Sequence, residues 1–371
     1  MRIGVMLRDV TKKGGVGLYT VNILRNLLKI DKDNQYILFY QGKKRKTIFS
    51  GYSNVEEQWI NVPYKILWDQ IFIPFLALRA RIDLLFSPRW TAPFISPCKI
   101  LMVVHGTENF VHPEFYKARD ILYLKLMIPL YLRRATKTIV VSGKSKDDMV
   151  KFTGVSKSKI IVVHLAVEDI FSEPVDPVFI KKVKAKYELP SKFILHVGVI
   201  YPGKNIERVI QAFAKVAEKF PHKLVLVGGF RWKYAEIFNL IEKLNLKNKV
   251  IMLKWVPHSE LRVFYNLADS LVFPSFYESF PAPPLEAMAC GCPVITSYTG
   301  GTPEVVEDAA LLVDPTNVDE IYRATVRALE DGAIRAKLIS KGFARAKKFP
   351  CFNASTVVSY TSLHRVHPSL S

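Results

Sequence analysis

Short apolar runs alternate with helix-length amphipathic stretches along this chain, and the whole alternation occurs twice, which confines the fold to layered α/β architectures. In the first half the runs are Arg2 to Leu7, Tyr36 to Tyr40, Leu84 to Ser87, Ile100 to His105, Thr138 to Ser142 and Ile160 to Val163. Helical patterning falls between them, notably at Leu18 to Lys29, Pro113 to Arg134 and Lys144 to Phe152. This spacing predicts a doubly wound sheet. A looser charged stretch, Asp169-Ile-Phe-Ser-Glu-Pro-Val-Asp-Pro177, marks a crossover. The second half then repeats the plan. Its strands are expected at Phe193 to Val199, Leu224 to Gly228, Val250 to Trp255, Ser270 to Phe273, Val294 to Ser297 and Ala310 to Val313, with helices opening at Asn205, Trp232, Ser259, Pro283, Pro303 and Val318. A chain of 371 residues is too long for one ordinary core, so two domains are expected.

One strand-to-helix junction in the second half carries chemistry. The run Ser270-Leu-Val-Phe-Pro274 is a strand candidate, and Pro283 with Pro284 can only open a helix. Glu278 is then on the loop and Glu286 in the first helical turn. Free NH groups at a helix start suit an anion such as a diphosphate, while carboxylates accept hydrogen bonds from sugar or ribose hydroxyls. The arrangement reads as a nucleotide-sugar site. A solvated loop glutamate and a carboxylate favoured by the helix dipole are the alternative reading of the same two residues.

Glu278 and Glu286, followed by Ala-Met-Ala-Cys-Gly-Cys-Pro-Val-Ile295 and then Gly300-Gly301-Thr302-Pro303-Glu304-Val305-Val306, closely resemble the retaining glycosyltransferases of family 4. The resemblance covers nearly the whole chain and implies the GT-B fold, two Rossmann-like domains facing a central cleft. It divides the chain into an acceptor-side domain at 1 to 170, joined by a returning C-terminal segment at 351 to 371, and a donor-binding domain at 171 to 350. The activity implied is retaining transfer of a hexosyl unit, such as mannose or glucose, from a nucleoside-diphospho-sugar to a glycan or lipid-linked acceptor. No metal or other cofactor is implied.

The family pattern also assigns residues. Glu278 holds sugar hydroxyls, Glu286 holds the ribose, and Phe280, Pro281 and Ala282 lie along the donor. Backbone around Trp255 and Val256 meets the base. Lys204, in His196-Val-Gly-Val-Ile-Tyr-Pro-Gly-Lys204-Asn205, is the cation that stabilises the departing diphosphate. His105 contacts the donor sugar near the reacting centre, the alternative being a histidine that caps a strand end. Gly15 and Gly17, in Gly14-Gly-Val-Gly17, let backbone NH groups approach the donor, although such a turn often serves only tight packing.

Four positions depart from the family pattern. Gly106 stands where many relatives have aspartate, and Val199 and Gly203 stand where they commonly have an arginine to accompany the lysine. Arg231 is a candidate substitute. Pro281 replaces a glycine and removes a backbone NH from the donor loop. These departures sustain a non-catalytic GT-B scaffold that binds glycan or membrane as an alternative function. A sugar-nucleotide epimerase is the other enzyme class weighed, and the Glu278/Glu286 spacing argues against it.

The formal charge is +20, with +13 carried by residues 1 to 170 and +7 by the remainder. Such a field favours anionic partners or serves solubility. Nucleic acid is not expected, because the base-stacking aromatic pattern of a single-strand binder is missing. The segments Tyr64 to Arg81 and Tyr123 to Arg134 mix aromatic, aliphatic and basic residues and read either as membrane-resting faces or as helices packed on the sheet. Lys43-Lys-Arg-Lys46 is a basic loop that either meets anionic headgroups or is solvated. No apolar run has the roughly 18 residues of a spanning helix. Together with a charged N-terminus this makes the cytoplasm the expected location, with peripheral contact at the inner membrane face. The four cysteines show no metal-ligand spacing and read as reduced thiols. Asp31-Lys-Asp33 reads as a surface turn.

Overall fold

The computed structural model describes residues 1–8, 15–43, 47–231 and 234–350. Gly14, Lys44 to Lys46, Trp232, Cys351 and the return of residues 351 to 371 to the first domain lie outside the described residues. The described chain forms two compact units, Met1–Leu165 and Ala166–Pro350.

The first unit is a seven-stranded parallel sheet of β1 (Arg2–Leu7), β2 (Gln35–Gln41), β3 (Val55–Ile60), β4 (Leu84–Ser87), β5 (Lys99–Val104), β6 (Lys137–Val140) and β7 (Ile160–Val162), in the order β3-β2-β1-β4-β5-β6-β7. All four residues of β4 and five of the six in β1 and β5 are buried, which explains why these strands read as unbroken apolar runs. The edge strand β3 is missing from the predicted set. Its sequence Val-Glu-Glu-Gln-Trp-Ile carries the charge that an edge tolerates and a central strand does not.

The helix Gly15–Ile30 covers the sheet with Ile23, Leu24, Leu27 and Leu28, two pairs one turn apart. The helix predicted from Pro113 starts at Ala118, because Pro113–Phe115 forms its own short turn. Asp31, expected in a surface turn, is buried instead. Its carboxylate accepts bonds from Asn34 at 2.7 Å and the Tyr36 hydroxyl at 2.6 Å, which holds it ionised against the penalty of burial.

The second unit is a six-stranded parallel sheet of β8 (Phe193–Val197), β9 (Lys223–Val227), β10 (Val250–Leu253), β11 (Ser270–Phe273), β12 (Val294–Ser297) and β13 (Leu311–Val313), in the order β10-β9-β8-β11-β12-β13. Helix Ile206–Lys219 buries Ile206, Val209, Ile210, Phe213 and Val216 on one stripe. At about 1.5–3 kcal/mol for each large apolar side chain, that stripe holds the helix to the sheet. Phe220-Pro221 ends it, since proline cannot continue the ladder. Two helices absent from the prediction, Pro177–Lys186 and Gly332–Ala346, are capped by Asp176 and Asp331, whose carboxylates each accept a backbone NH at 2.9 Å.

In each sheet the strand order reverses once, between β1 and β4 and between β8 and β11. Loops leaving the carboxyl ends diverge at such a reversal and open a crevice for ligand. In the first unit the loops at that edge bring Arg8, Arg89 and His105, and in the second they bring Lys204 and Glu278.

Candidate active site

The loop after β8 tightens into a turn at Pro202–Lys204, and Asn205 adopts a left-handed conformation at φ 60° before the helix Ile206–Lys219 begins. Asn205 is buried, and its amide donates to the carbonyls of Pro274 and Pro315 at 2.9 and 2.6 Å. The Phe276 NH donates to the Gly203 carbonyl at 3.0 Å. These bonds stitch the loop after β8 to the loop after β11. The result brings together two of the candidate site residues: Lys204 Nζ is 2.5 Å from Glu278 Oε1, with side chains only 15% and 13% exposed.

A third loop fixes Glu278 from behind. The Gly301 NH donates to the Glu278 carbonyl at 2.7 Å, and Gly300 sits at φ +63° with its Cα pressed against the same carbonyl. A Cβ at position 300 would lie 2.3 Å from that oxygen. Gly228 supports the lysine loop in a similar way, since a Cβ there would stand 1.8 Å from the Gly198 carbonyl.

His196 lines the far side of Lys204, a role that sequence reasoning missed. It is fully buried in β8, and its Nδ1–H donates to the Val272 carbonyl at 2.8 Å. A carbonyl only accepts, so Nδ1 carries the proton and Nε2 is left as an acceptor. Burial first, and the Lys204 charge beside it, push its pKa down to about 4 and keep it neutral. A polar residue in the middle of an apolar strand was the available signal.

The helix Ala282–Ala289 corrects one expectation. Its start presents no free NH groups: Pro281, Pro283 and Pro284 have none, and the Ala282 NH turns back to the Phe280 carbonyl at 3.1 Å. This helix end therefore offers no amide donors to an anion. Phe280 is buried with its ring edge-on to Phe349 at 5.7 Å, and Val256 is buried too, so both side chains serve packing and only their backbones are available to a ligand.

Glu286 lies on the second turn of that helix, not the first. The Tyr265 hydroxyl donates to its Oε2 at 2.9 Å. His258, which opens the helix His258–Leu267, is 2.9 Å from Glu168. Burial raises the Glu286 pKa, opposed by the His258 charge and the Tyr265 bond. Burial depresses His258, but the bond to Glu168 and the charges of Glu286 and Glu168 outweigh it and raise its pKa overall.

The missing arginines have a steric account at one position. The Tyr201 ring lies across Gly203, where a Cβ would come within 2.6 Å of it, and the Arg231 guanidinium lies 5.7 Å over that same ring. Arg231 thus reaches the lysine loop from the loop after β9.

In the first unit, Gly15 and Gly17 are in the opening turn of the helix Gly15–Ile30, and the Tyr19 ring two residues on packs edge-on against His105 at 4.6 Å. His105 is the first residue after β5, its Nε2–H donating to the Pro88 carbonyl at 2.8 Å. Burial, aided by the Arg89 charge and opposed by the Pro88 bond, lowers its pKa to about 4. It is a neutral imidazole with Nδ1 as acceptor, suited to receiving a hydroxyl proton in a hydrogen bond and unsuited to general acid work. The Glu108 carboxylate fills the space beside Gly106, where a Cβ would stand 2.1 Å from it. Glu108 thus sets a carboxylate beside the residue that follows His105. Among the described residues no group of three or more His, Cys, Asp or Glu is arranged to hold a metal ion.

Comparison with known proteins places these residues in a family. The Glycosyltransferase Family 4 model matches residues 13–169 and the Glycosyl transferases group 1 model matches residues 179–345. The O-antigen chain mannosyltransferase B of Escherichia coli is 31% identical over 68% of this chain and 67% of its own. The serotype-specific mannosyltransferase WbdA of the same organism is 29% identical over 70% of this chain, which spans only 32% of that longer protein. Among solved structures, HepE of Anabaena in complex with UDP and glucose superposes with a TM-score of 0.78 over 98% of this chain and all of its own, at 20% identity. Two consecutive domain matches on two parallel Rossmann-like sheets establish that the chain belongs to glycosyltransferase family 4, the retaining hexosyltransferases of the GT-B fold.

Proposed function

We propose that the protein moves a hexosyl unit, mannose foremost, from a nucleoside-diphospho-sugar to a glycan or lipid-linked acceptor in polysaccharide synthesis. The observation that carries this reading is the Lys204–Glu278 pair at the strand-order reversal of the second sheet. Mannose is favoured by the kinship with O-antigen mannosyltransferases. In this reading Ala166–Pro350 is the donor-binding unit and Met1–Leu165 the acceptor-side unit.

The chemistry follows from the residues. As the bond from sugar C1 to the phosphate oxygen breaks, negative charge grows on the diphosphate. The Lys204 ammonium, with low exposure and no competing helix-end amides, neutralises it. Arg231, held over Tyr201, is the second cation. Glu278 exchanges its contact with Lys204 for sugar hydroxyls, Glu286 accepts from the ribose, and His105 accepts from a sugar hydroxyl through Nδ1. The acceptor hydroxyl bonds to C1 on the face the diphosphate leaves, and its proton passes to the departing phosphate oxygen. No enzyme carboxylate forms a covalent link in this scheme.

The first unit supports a lipid-linked acceptor. Large apolar side chains stand exposed on the helical run from Lys65 to Arg79 and on the helix Ala118–Arg134, among them Phe75 and Leu126 at 60%, and Ile95 is 81% exposed on the loop between β4 and β5. The loop carrying Phe94 and Ile95 is tied to both: Gln70 bonds its backbone, Arg134 donates to the Phe94 carbonyl at 3.0 Å, and the Phe94 ring stacks on Tyr131. Arg79, Arg119 and Lys125 are exposed alongside. An apolar face rimmed by cations suits the surface of an anionic membrane. Among the described residues no helix is long and apolar enough to cross one.

The test is nucleoside diphosphate release from GDP-mannose, UDP-glucose and related donors, with and without a lipid-linked glycan acceptor. Release with one donor that requires the acceptor and disappears in Glu278→Ala supports the transferase. Release that needs no acceptor points to the epimerase, and absence of release with every donor points to the non-catalytic scaffold.

A further inference from the structure

Tyr265 is a fully buried tyrosine whose hydroxyl has a single use. It projects from helix His258–Leu267, lies 5.8 Å from the Phe171 ring, and donates to Glu286 Oε2 at 2.9 Å. A position that needed only bulk would be served by phenylalanine, because a buried hydroxyl costs stability unless it is bonded. The cost here is offset by one carboxylate, and the bond from a neutral donor to a charged acceptor is among the stronger kinds. His258, seven residues earlier on the same helix face, adds its charge to the same carboxylate, and Glu168 holds that imidazole at 2.9 Å. The neighbouring thiols of Cys290 and Cys292 stay protonated, since burial pushes both up, Cys292 to about 12.

We propose that Tyr265 is a positioning residue for nucleotide recognition: by holding one oxygen of Glu286 it fixes the carboxylate so that the other oxygen meets the ribose hydroxyls of the donor. The proposal rests on the reading of Glu286 as the ribose ligand. Glu286 is half-buried while the phenol is wholly buried, so the carboxylate is supported from inside and reached from outside. Without that support the side chain regains rotamer freedom, and an acceptor aimed at two neighbouring hydroxyls loses its aim before the protein loses its fold.

The experiment is calorimetric binding of GDP, UDP and their 2′-deoxy counterparts to the full chain, its Tyr265→Phe variant and its Glu286→Gln variant. The wild type is expected to prefer the ribonucleotide by about tenfold, the worth of a hydrogen bond to a charged group. Both variants should bring that ratio to within about twofold. A merely structural tyrosine predicts something else: Tyr265→Phe then weakens both forms equally and keeps the wild-type ratio. That outcome, with Glu286→Gln losing the ratio, overturns the proposal and leaves the ribose reading standing. A wild type that binds none of the four, or does not discriminate ribose from deoxyribose, overturns the ribose reading and the proposal with it.

Discussion

Lys204 Nζ and Glu278 Oε1 are 2.5 Å apart although 74 residues separate them in sequence, because β8 and β11 are neighbours on either side of the strand-order reversal. In the proposed reaction the ammonium, with Arg231 as second cation, meets the diphosphate charge without free amides from the start of the helix Ala282–Ala289. Lys204→Ala should therefore lower kcat by about 10²–10³-fold, equivalent to about 2.7–4 kcal/mol of barrier. Lys204→Arg should recover part of it. Steady-state rates with the donor found in the release assay check this, and an unaltered kcat in Lys204→Ala removes the lysine from the mechanism.

Gly300→Ala should disturb Glu278 without touching it chemically. A methyl group at position 300 meets the Glu278 carbonyl at 2.3 Å, and φ +63° is itself unfavourable for alanine. The strain is about 1–3 kcal/mol, which either lowers the unfolding midpoint or is relieved by shifting the loop. A relieved loop loses transfer activity while stability is nearly kept. Chemical denaturation and kcat measured on the same preparation separate the two, and a variant normal in both refutes the clamp.

Much of this was legible in the sequence where local pattern and tertiary role coincide. The bounds of β4, β11 and β12 follow from unbroken apolar runs because all three are buried on both faces. Glu278 could be named from its strand-to-helix junction, and Lys204 from the resemblance of its loop to the family pattern. Asn205 and Tyr265 could not, since each acts through a partner 21 to 110 residues away and has no distinctive neighbours in sequence, while His196 carried only the signal of a polar residue within an apolar strand. The prolines at 281, 283 and 284 were visible from the start. What the sequence could not reveal was that the Ala282 NH turns inward and completes the loss of donors.

Acid should destabilise the second unit through His196. Its folded pKa of about 4 lies below the ordinary value of about 6.5, so the unfolded chain binds a proton more readily. The stability it contributes is present above pH 6.5 and is lost as pH falls toward 4. For a fully buried ring the loss across that window is about 3 kcal/mol. His196→Asn, which retains a donor for the Val272 carbonyl but does not titrate, should flatten the slope of the urea midpoint between pH 6.5 and 4. A slope as steep as that of the wild type assigns the acid sensitivity to other groups.

The exposed face of the first unit gives the last expectation. Phe75 and Leu126, each 60% exposed, lie on two helical segments joined through the Phe94 loop, and neither helps to fill the core. Glutamate at both positions should leave the unfolding midpoint within about 0.5 kcal/mol, as for surface changes generally. On a membrane the same change removes two apolar anchors and sets two negative charges against anionic headgroups. The double variant Phe75→Glu/Leu126→Glu should therefore sediment far less with vesicles containing phosphatidylglycerol, and should keep its rate on a water-soluble acceptor while losing it on a lipid-linked one. If the variant sediments like the wild type, the apolar face does not meet the bilayer. If the wild type sediments only with anionic vesicles at low salt and not at all near 0.15 M, its attachment is electrostatic, and the exposed aromatic and aliphatic side chains contribute nothing to it.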